Sequence, residues 1–266
     1  MIRVKNYVRA ASLEEAYQLN QKRTNVVLGG MLWLKMGKRS VQTVIDLSGL
    51  GLDQIEEDEE KFIIGAMCSL RELEVNHSLN SCYDGVIKES LQHIVGVQFR
   101  NCATIGGSIF GRFGFSDILT CLLTLDTYVE LYQGGLVFLH DFIKLPRDND
   151  ILVRIIIRKD RRSAVYQSFR RTRTDFPILA SAASFTEDKL YLSFGARPMK
   201  AEVLEINRSD LADINTEEDF KNFARDTAKK FKYGSNMRGS AEYREHLAAV
   251  SICRALKALE EVSYGN

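Results

Sequence analysis

Proline is scarce and tryptophan nearly absent, at three and one in 266 residues. With 18 glycines and no repetitive stretch, the chain is neither collagenous nor low-complexity. No run of about 18 apolar residues occurs, which argues against a membrane-spanning helix. An excess of charge is missing too. Lys plus Arg number 36 and Asp plus Glu 35, a formal charge of +1. A globally basic nucleic-acid binder and an acidic solvating tail are therefore not expected. The five cysteines, Cys68, Cys82, Cys102, Cys121 and Cys253, form no C-x-x-C pair. An odd, scattered set speaks against a disulfide framework, a zinc site or an iron–sulfur cluster held by this chain. It fits reduced, mostly buried thiols in a cytoplasmic protein. His77, His93, His140 and His246 show no H-x-x-x-H spacing, and no G-x-S-x-G elbow is present. The first residues carry no apolar h-region, so secretion is not expected.

What is present is an ordinary globular balance, 45% hydrophobic and 27% charged, with length for one large domain or two smaller ones. The opening reads as a βαβ unit. Ser12 to Glu15 has capping-box spacing for a helix to about residue 23, followed by strands at 25–28 and 41–47. The acid run at 55–61 reads as a solvated turn or edge, and 61–66 as a strand. Ser69 to Glu72 is a second capping box, and one longer helix is expected over 83–94. Ser116 or Asp117 can cap a helix reaching about 125. Strands at 128–131 and 136–138 flank a Gln-Gly-Gly hairpin signal. A β-branched strand follows at 151–158. The charged stretch 158–162 is the best domain boundary. Beyond it, three antiparallel strands are expected at 165–169, 178–185 and 190–194, then helices at about 216–230 and 241–262.

Two glycine segments can carry chemistry. Val26-Val27-Leu28-Gly29-Gly30-Met31-Leu32-Trp33 runs a strand into paired glycines. Such a turn is either a plain strand exit or a nest of amides suited to phosphate, with glycine allowing positive φ and close approach. Thr104-Ile105-Gly106-Gly107-Ser108 leads to Ser116-Asp117 through further glycines at 111 and 114. It is neither a P-loop nor G-x-G-x-x-G, which disfavours a Rossmann site. A long glycine-rich loop in a compact domain usually has a job. Two Gly-Gly loops suit the two ends of a pyrophosphate, and Asp117 is either a helix cap or an acceptor for a ribose hydroxyl.

These two loops, in this order and spacing, resemble the FAD-binding subunit of the molybdenum hydroxylase family, which includes xanthine dehydrogenases, aldehyde oxidases and carbon monoxide dehydrogenases. The second loop, Arg100-Asn101-Cys102-Ala103-Thr104-Ile105-Gly106-Gly107-Ser108 with Asp117, carries the resemblance most strongly. Phe169-Arg170-Arg171, Asp175 to Ala180, and Arg238-Gly239-Ser240-Ala241-Glu242-Tyr243-Arg244 resemble the family's small C-terminal domain. The resemblance covers essentially the whole chain. It implies that Val26 to Trp33 and Thr104 to Ser108, with Arg100 and Asn101, hold the FAD pyrophosphate region. Ile94 and Leu152 match apolar cofactor contacts, Asp117 a further contact, and Arg170 a position held by Lys in some members. Met31 replaces the usual Thr or Ser, so a hydroxyl bond to phosphate is lost, and Ser108 replaces the usual Asn. Arg112 can offset that loss or lie on the surface as a loop arginine. Trp33 reads as packing beside the first loop.

The implied architecture is α+β. Residues 1–160 form a two-lobed FAD domain, with a small βαβ lobe and a larger mixed lobe, and residues 161–266 a small antiparallel sheet with helices. The implied role is electron transfer in a xanthine dehydrogenase-like complex. An iron–sulfur subunit with 2Fe-2S clusters and a molybdopterin-binding subunit are the expected partners, and NAD or another acceptor takes the electrons. A self-contained FAD oxidoreductase and a scaffold that has lost FAD are the alternatives. The six arginines between 158 and 173, with Arg154 and Arg197 outside, form a solvated face or a dock for an acidic partner.

Overall fold

In the computed structural model, the described residues are 2–264 apart from 161, 212, 213 and 215, with the side chains of 260–264 also left out. In chain order the elements are β1 (Arg3–Arg9), α1 (Leu13–Asn20), β2 (Val26–Leu28), β3 (Ser40–Asp46), β4 (Ile55–Glu57), β5 (Lys61–Gly65) and α2 (Leu70–Val75). Then come α3 (His77–Cys82), α4 (Val86–Leu91), α5 (Val97–Cys102), α6 (Ile105–Phe110), α7 (Asp117–Leu122), β6 (Thr127–Leu131), β7 (Gly135–Phe138) and α8 (Leu139–Phe142). The chain continues with β8 (Leu152–Arg158), β9 (Ser163–Phe169), β10 (Leu179–Phe185), β11 (Lys189–Gly195), β12 (Glu202–Asn207), α9 (Glu217–Ala228) and α10 (Ala241–Tyr264). The fold class is mixed α+β, as expected.

The chain forms two compact units, each built from separate segments. The first comprises 1–73, 96–111 and 127–158; the second comprises 74–95, 112–126 and 159–266. The last passage between them, after Arg158, falls in the charged stretch. The segments 74–95 and 112–126, inside the expected first domain, pack with C-terminal residues instead.

In the first unit, β1, β3 and β2 form a parallel sheet in that order, so β3 is the central strand. Helix α1 starts where predicted. The Ser12 hydroxyl accepts the Glu15 amide at 3.1 Å, while the Glu15 carboxylate takes the Ala11 amide at 2.7 Å. Its apolar stripe, with Ala16 fully buried, packs on Ile45, Leu47 and Val27. The larger sheet is antiparallel, ordered β4-β5-β8-β6-β7. β4 is its edge, so the acid run lies where water solvates it. The hairpin signal at 133–135 joins β6 to β7, with Gly135 at φ +65°.

In the second unit, β12-β11-β10-β9 is an antiparallel sheet of four strands, not three. The missed strand, Glu-Val-Leu-Glu-Ile-Asn, is an edge whose mixed pattern leaves only Ile206 fully buried. The central strand β10 is short-chained, Leu-Ala-Ser-Ala-Ala-Ser-Phe, and this lets helices approach both faces. Leu179, Ala183 and Phe185 join Ile252, Leu256 and Leu259 of α10 in one core. On the other face the Ser184 hydroxyl donates to the Thr124 carbonyl beyond α7. The helix expected over 83–94 is shorter, running only from Val86 to Leu91 as α4. Asp84 at φ +52° and Gly85 at φ +77° break it, and α4 starts only at Val86.

Candidate functional site

Both glycine segments lie in the first unit, and the structure brings them together. Strand β2 ends at Leu28 and the chain turns at Gly29-Gly30 against the start of α6. A Cβ on Gly29 would sit 2.7 Å from the Thr104 hydroxyl, and one on Gly30 would land on the Cys102 carbonyl. Neither glycine, nor Gly106 or Gly107, has a positive φ. Of the two properties glycine offers here, close approach is the one used: Gly30 and Gly106 are glycine because backbone meets backbone. The positive φ belongs to Met31, at +60°, a conformation unfavourable for a side chain of its kind.

The second segment is not a long open loop. Thr104 is extended and caps α6, accepting the Gly107 amide at 3.2 Å, and residues 105–110 are helical. The Ile105 and Gly106 amides donate to Cys68 and Ala66 carbonyls, both at 2.9 Å, and the Ser108 amide to Thr104 at 3.1 Å. The helix start therefore has its amides satisfied within the protein. A Cβ on Gly106 would lie 2.5 Å from the Ala66 carbonyl, whereas Gly107 is exposed and faces open space apart from Thr104.

Open donors are found on the first segment instead. Among the described residues, the amides of Gly30, Met31 and Leu32 donate to no protein acceptor. Three successive free amides next to a left-handed residue form a concave donor surface that favours an anion. Met31 and Trp33 are 37% and 44% exposed. Trp33 packs beside the first segment while half-exposed: its indole meets Phe99 of α5 edge-on, centroids 6.5 Å apart. Val26, Val27, Leu28 and Leu32 are half-buried, Arg100 is buried and Asn101 exposed. Leu152 opens β8 and is 5% exposed.

The other expected contacts, Ile94, Asp117 and Arg170, belong to the second unit. Ile94 is half-buried just after α4, its amide bonded to Leu91 at 2.9 Å. Ser116 caps α7, its hydroxyl accepting the Leu119 amide at 3.3 Å, so Asp117 is free of that duty. The Asp117 carboxylate is buried, and one oxygen accepts both the Tyr166 hydroxyl and the Arg170 guanidinium. Arg170 is held in turn by Ser168 at 3.0 Å and by the Asp175 carbonyl. Tyr166 was not legible as a functional residue. Its signal is the alternation that turns it, with Ala164 and Ser168, away from the α10 face occupied by Val165 and Phe169. Arg112 is not a surface arginine: it is 3% exposed, at φ +45°.

Burial raises the Asp117 carboxyl above the ordinary carboxylate range, against the opposing pull of Arg170 and Tyr166. A carboxyl whose folded pKa is raised favours the fold most at low pH. That contribution is lost as pH climbs from the unfolded value through the folded one. Asp117→Asn should therefore flatten this part of the profile. Chemical denaturation from pH 3 upward should show the stability difference between wild type and variant shifting against the wild type as pH rises. Parallel profiles would remove Asp117 as a titrating group.

The late Gly-Ser-Ala-Glu-Tyr-Arg motif is structural. Arg244 is fully buried, its guanidinium donating to the carbonyls of Ile178 at 2.8 Å, Gly234 at 2.7 Å and Gly239, and to the Asn236 side chain at 2.6 Å. Among the described residues no group of three or more His, Cys, Asp or Glu could hold a metal ion, and no helix is long and apolar enough to cross a membrane.

Residues 2–159 match the family model described as FAD binding domain in molybdopterin dehydrogenase. The chain is 24% identical over 254 residues, 94% of each chain, to the uncharacterized protein YgfM of Escherichia coli (strain K12). Among solved structures it is similar to quinoline 2-oxidoreductase from Pseudomonas putida 86. The TM-score is 0.83 at 19% identity, covering 98% of this chain and 97% of that one. Carbon monoxide dehydrogenase from Hydrogenophaga pseudoflava gives a TM-score of 0.81 at 20% identity, covering 97% of both chains.

Proposed function

The chain belongs to the family of FAD binding domains in molybdopterin dehydrogenases, and from that premise we propose that it carries electrons within a larger molybdenum hydroxylase. The observation that carries the cofactor reading is the turn at Gly30-Met31-Leu32. Its three amides are open, and it is pressed against the end of α5 so tightly that a Cβ at Gly30 would land on the Cys102 carbonyl. A diphosphate needs such donors and such close backbone approach. The loss of the hydroxyl at Met31 leaves the amides to do the holding. Gly107, exposed and without a side chain, leaves the second segment open to a ligand. Ile94, Asp117, Leu152 and Arg170 complete the set of residues in this reading.

Bound flavin supplies the exchange between single electrons and a hydride pair. The chain's own residues bind and orient it. The five cysteines form no C-x-x-C pair, so this reading places the clusters on a partner subunit. An iron–sulfur subunit delivers electrons, a molybdopterin-binding subunit oxidises the organic substrate, and NAD or another acceptor takes the electrons. Quinoline 2-oxidoreductase and carbon monoxide dehydrogenase, whose folds this chain shares, favour that assembly over a self-contained flavoenzyme.

The single tryptophan provides the test. Trp33 stands half-exposed two residues beyond the open turn's Met31. Adding FAD to cofactor-free protein should quench its fluorescence saturably, at one FAD per chain. NADH should then bleach the visible absorbance of the bound flavin. Absence of saturable quenching, with no flavin retained after gel filtration, would favour a scaffold that has lost the cofactor. Binding without NADH reduction would leave the cofactor reading and remove NAD as acceptor.

A further inference from the structure

The structure divides the arginines that the sequence groups together. Arg162, Arg170 and Arg197 are buried on Asp160, Asp117 and Glu202. Arg154 pairs with Glu130 at 3.6 Å, and Arg158 lies over the Tyr128 ring at 4.9 Å. Arg171 and Arg173 are different. Both are exposed, and among the described residues neither has a carboxylate within 4.0 Å.

They sit in the second unit beside the 236–239 turn. Arg171 donates to the carbonyls of Met237 at 3.2 Å and Arg238 at 3.4 Å, which fixes its guanidinium to the turn. Arg173 reaches the His93 ring at 3.4 Å. Arg238 lies over the Phe176 ring at 5.0 Å, and Phe176 meets Phe115 edge-on at 4.9 Å. Asp175, 3.9 Å from Arg238, is the carboxylate among them. Met237, whose carbonyl Arg171 holds, is 85% exposed. The result is an exposed apolar side chain on a turn that carries Arg171 and Arg238, with Arg173 nearby in sequence and Asp175 the carboxylate paired to Arg238. Arginine and methionine are enriched at protein interfaces, and a surplus of one charge selects the opposite one on the partner.

We propose that this face, Arg171, Arg173 and Arg238 with Met237 and Phe176, docks an acidic polypeptide segment carrying an apolar side chain. Two arginines held in place by backbone carbonyls and an imidazole lose little freedom on binding, which favours a fixed partner over diffuse counterions. The inference rests on the second unit alone and stands apart from cofactor binding.

The probe is a fluorescein-labelled synthetic peptide of glutamates flanking one leucine, titrated into the full chain and followed by anisotropy. Saturable binding is expected, weakening several-fold as salt rises from about 50 to 200 mM because the contact is electrostatic. Arg171→Glu with Arg173→Glu should weaken it about tenfold or more, as for charge reversal at a rim. The melting temperature and FAD affinity should stay as in wild type. A Met237→Ser variant should also weaken binding, but without changing its salt dependence. Equal affinity of wild type and the double variant, no saturable binding, or binding to vesicles of anionic phospholipid in place of the peptide would each overturn the proposal.

Discussion

Replacing Arg244 with leucine is expected to cost about 3–5 kcal/mol, the upper end of what single substitutions do. The side chain is fully buried and has no carboxylate partner within 4.0 Å among the described residues; its charge is spread over three carbonyls and one side-chain amide oxygen. Those acceptors come from two places in sequence: Ile178 at the entry to β10, and the 234–239 turn with the Asn236 side chain within it. Leucine fills much of the volume but leaves four buried oxygens without donors. Hydrogen bonds to a charged group are worth about 1.5–3 kcal/mol each, and a buried orphan acceptor adds its own penalty. The four losses are not additive, because the same turn relaxes once it is released. Urea denaturation of the variant, with Arg254→Leu on the exposed side of α10 as control, measures the effect. A loss below about 1 kcal/mol, the range of an ordinary surface change, would mean that the turn is held by something else.

The same residue shows what the sequence could and could not tell. The motif Gly239 to Arg244 stands out in the sequence, and its function is structural: the chain needs an arginine to gather carbonyls that strands and helices leave over. Elements with local signals were legible. Ser12 and Ser69 each cap a helix where their spacing says, and the hairpin at 133–135 forms where its glycines say. Elements decided by distant packing were not. Residues 105–110 hold two glycines and read as loop. They are helical because Thr104 caps them and because the Ile105 and Gly106 amides find carbonyls at Cys68 and Ala66, some 40 residues earlier. Strand β12 owes its place to pairing with β11 rather than to its own pattern. Of the site, the glycine positions were legible from composition. Which segment keeps its amides open was not, since that depends on what each amide meets after folding. Tyr166 was hidden for the same reason: only the meeting of β9 with α7 gives its hydroxyl a carboxylate.

The two glycine segments should respond to the same small substitution in opposite ways. Gly30→Ala places a methyl on the backbone carbonyl of Cys102, and no side-chain rotation relieves a clash between two main chains. The turn must lift away from α5 and the Thr104 cap, at a cost of about 1–3 kcal/mol typical of overpacking. Because the open amides of Gly30, Met31 and Leu32 move with it, FAD affinity should fall by more than about tenfold, the equivalent of 1.4 kcal/mol. At Gly107 the added methyl meets only the Thr104 hydroxyl, at 3.1 Å, and a shift of a few tenths of an ångström relieves it. Alanine inside a helix is also favoured over glycine by about 0.5–1 kcal/mol. The cofactor-free Gly107→Ala protein should thus be as stable as wild type or slightly more so. Its exposed face lies on the segment where the cofactor reading has the ligand approach, so FAD should bind more weakly without any loss of fold. Thermal melts of the cofactor-free proteins and fluorescence titration through Trp33 separate the two effects. A Gly30→Ala protein that melts normally and binds FAD normally would remove the tight turn from the site. A Gly107→Ala protein with undiminished affinity would confine the cofactor contact to the first segment alone.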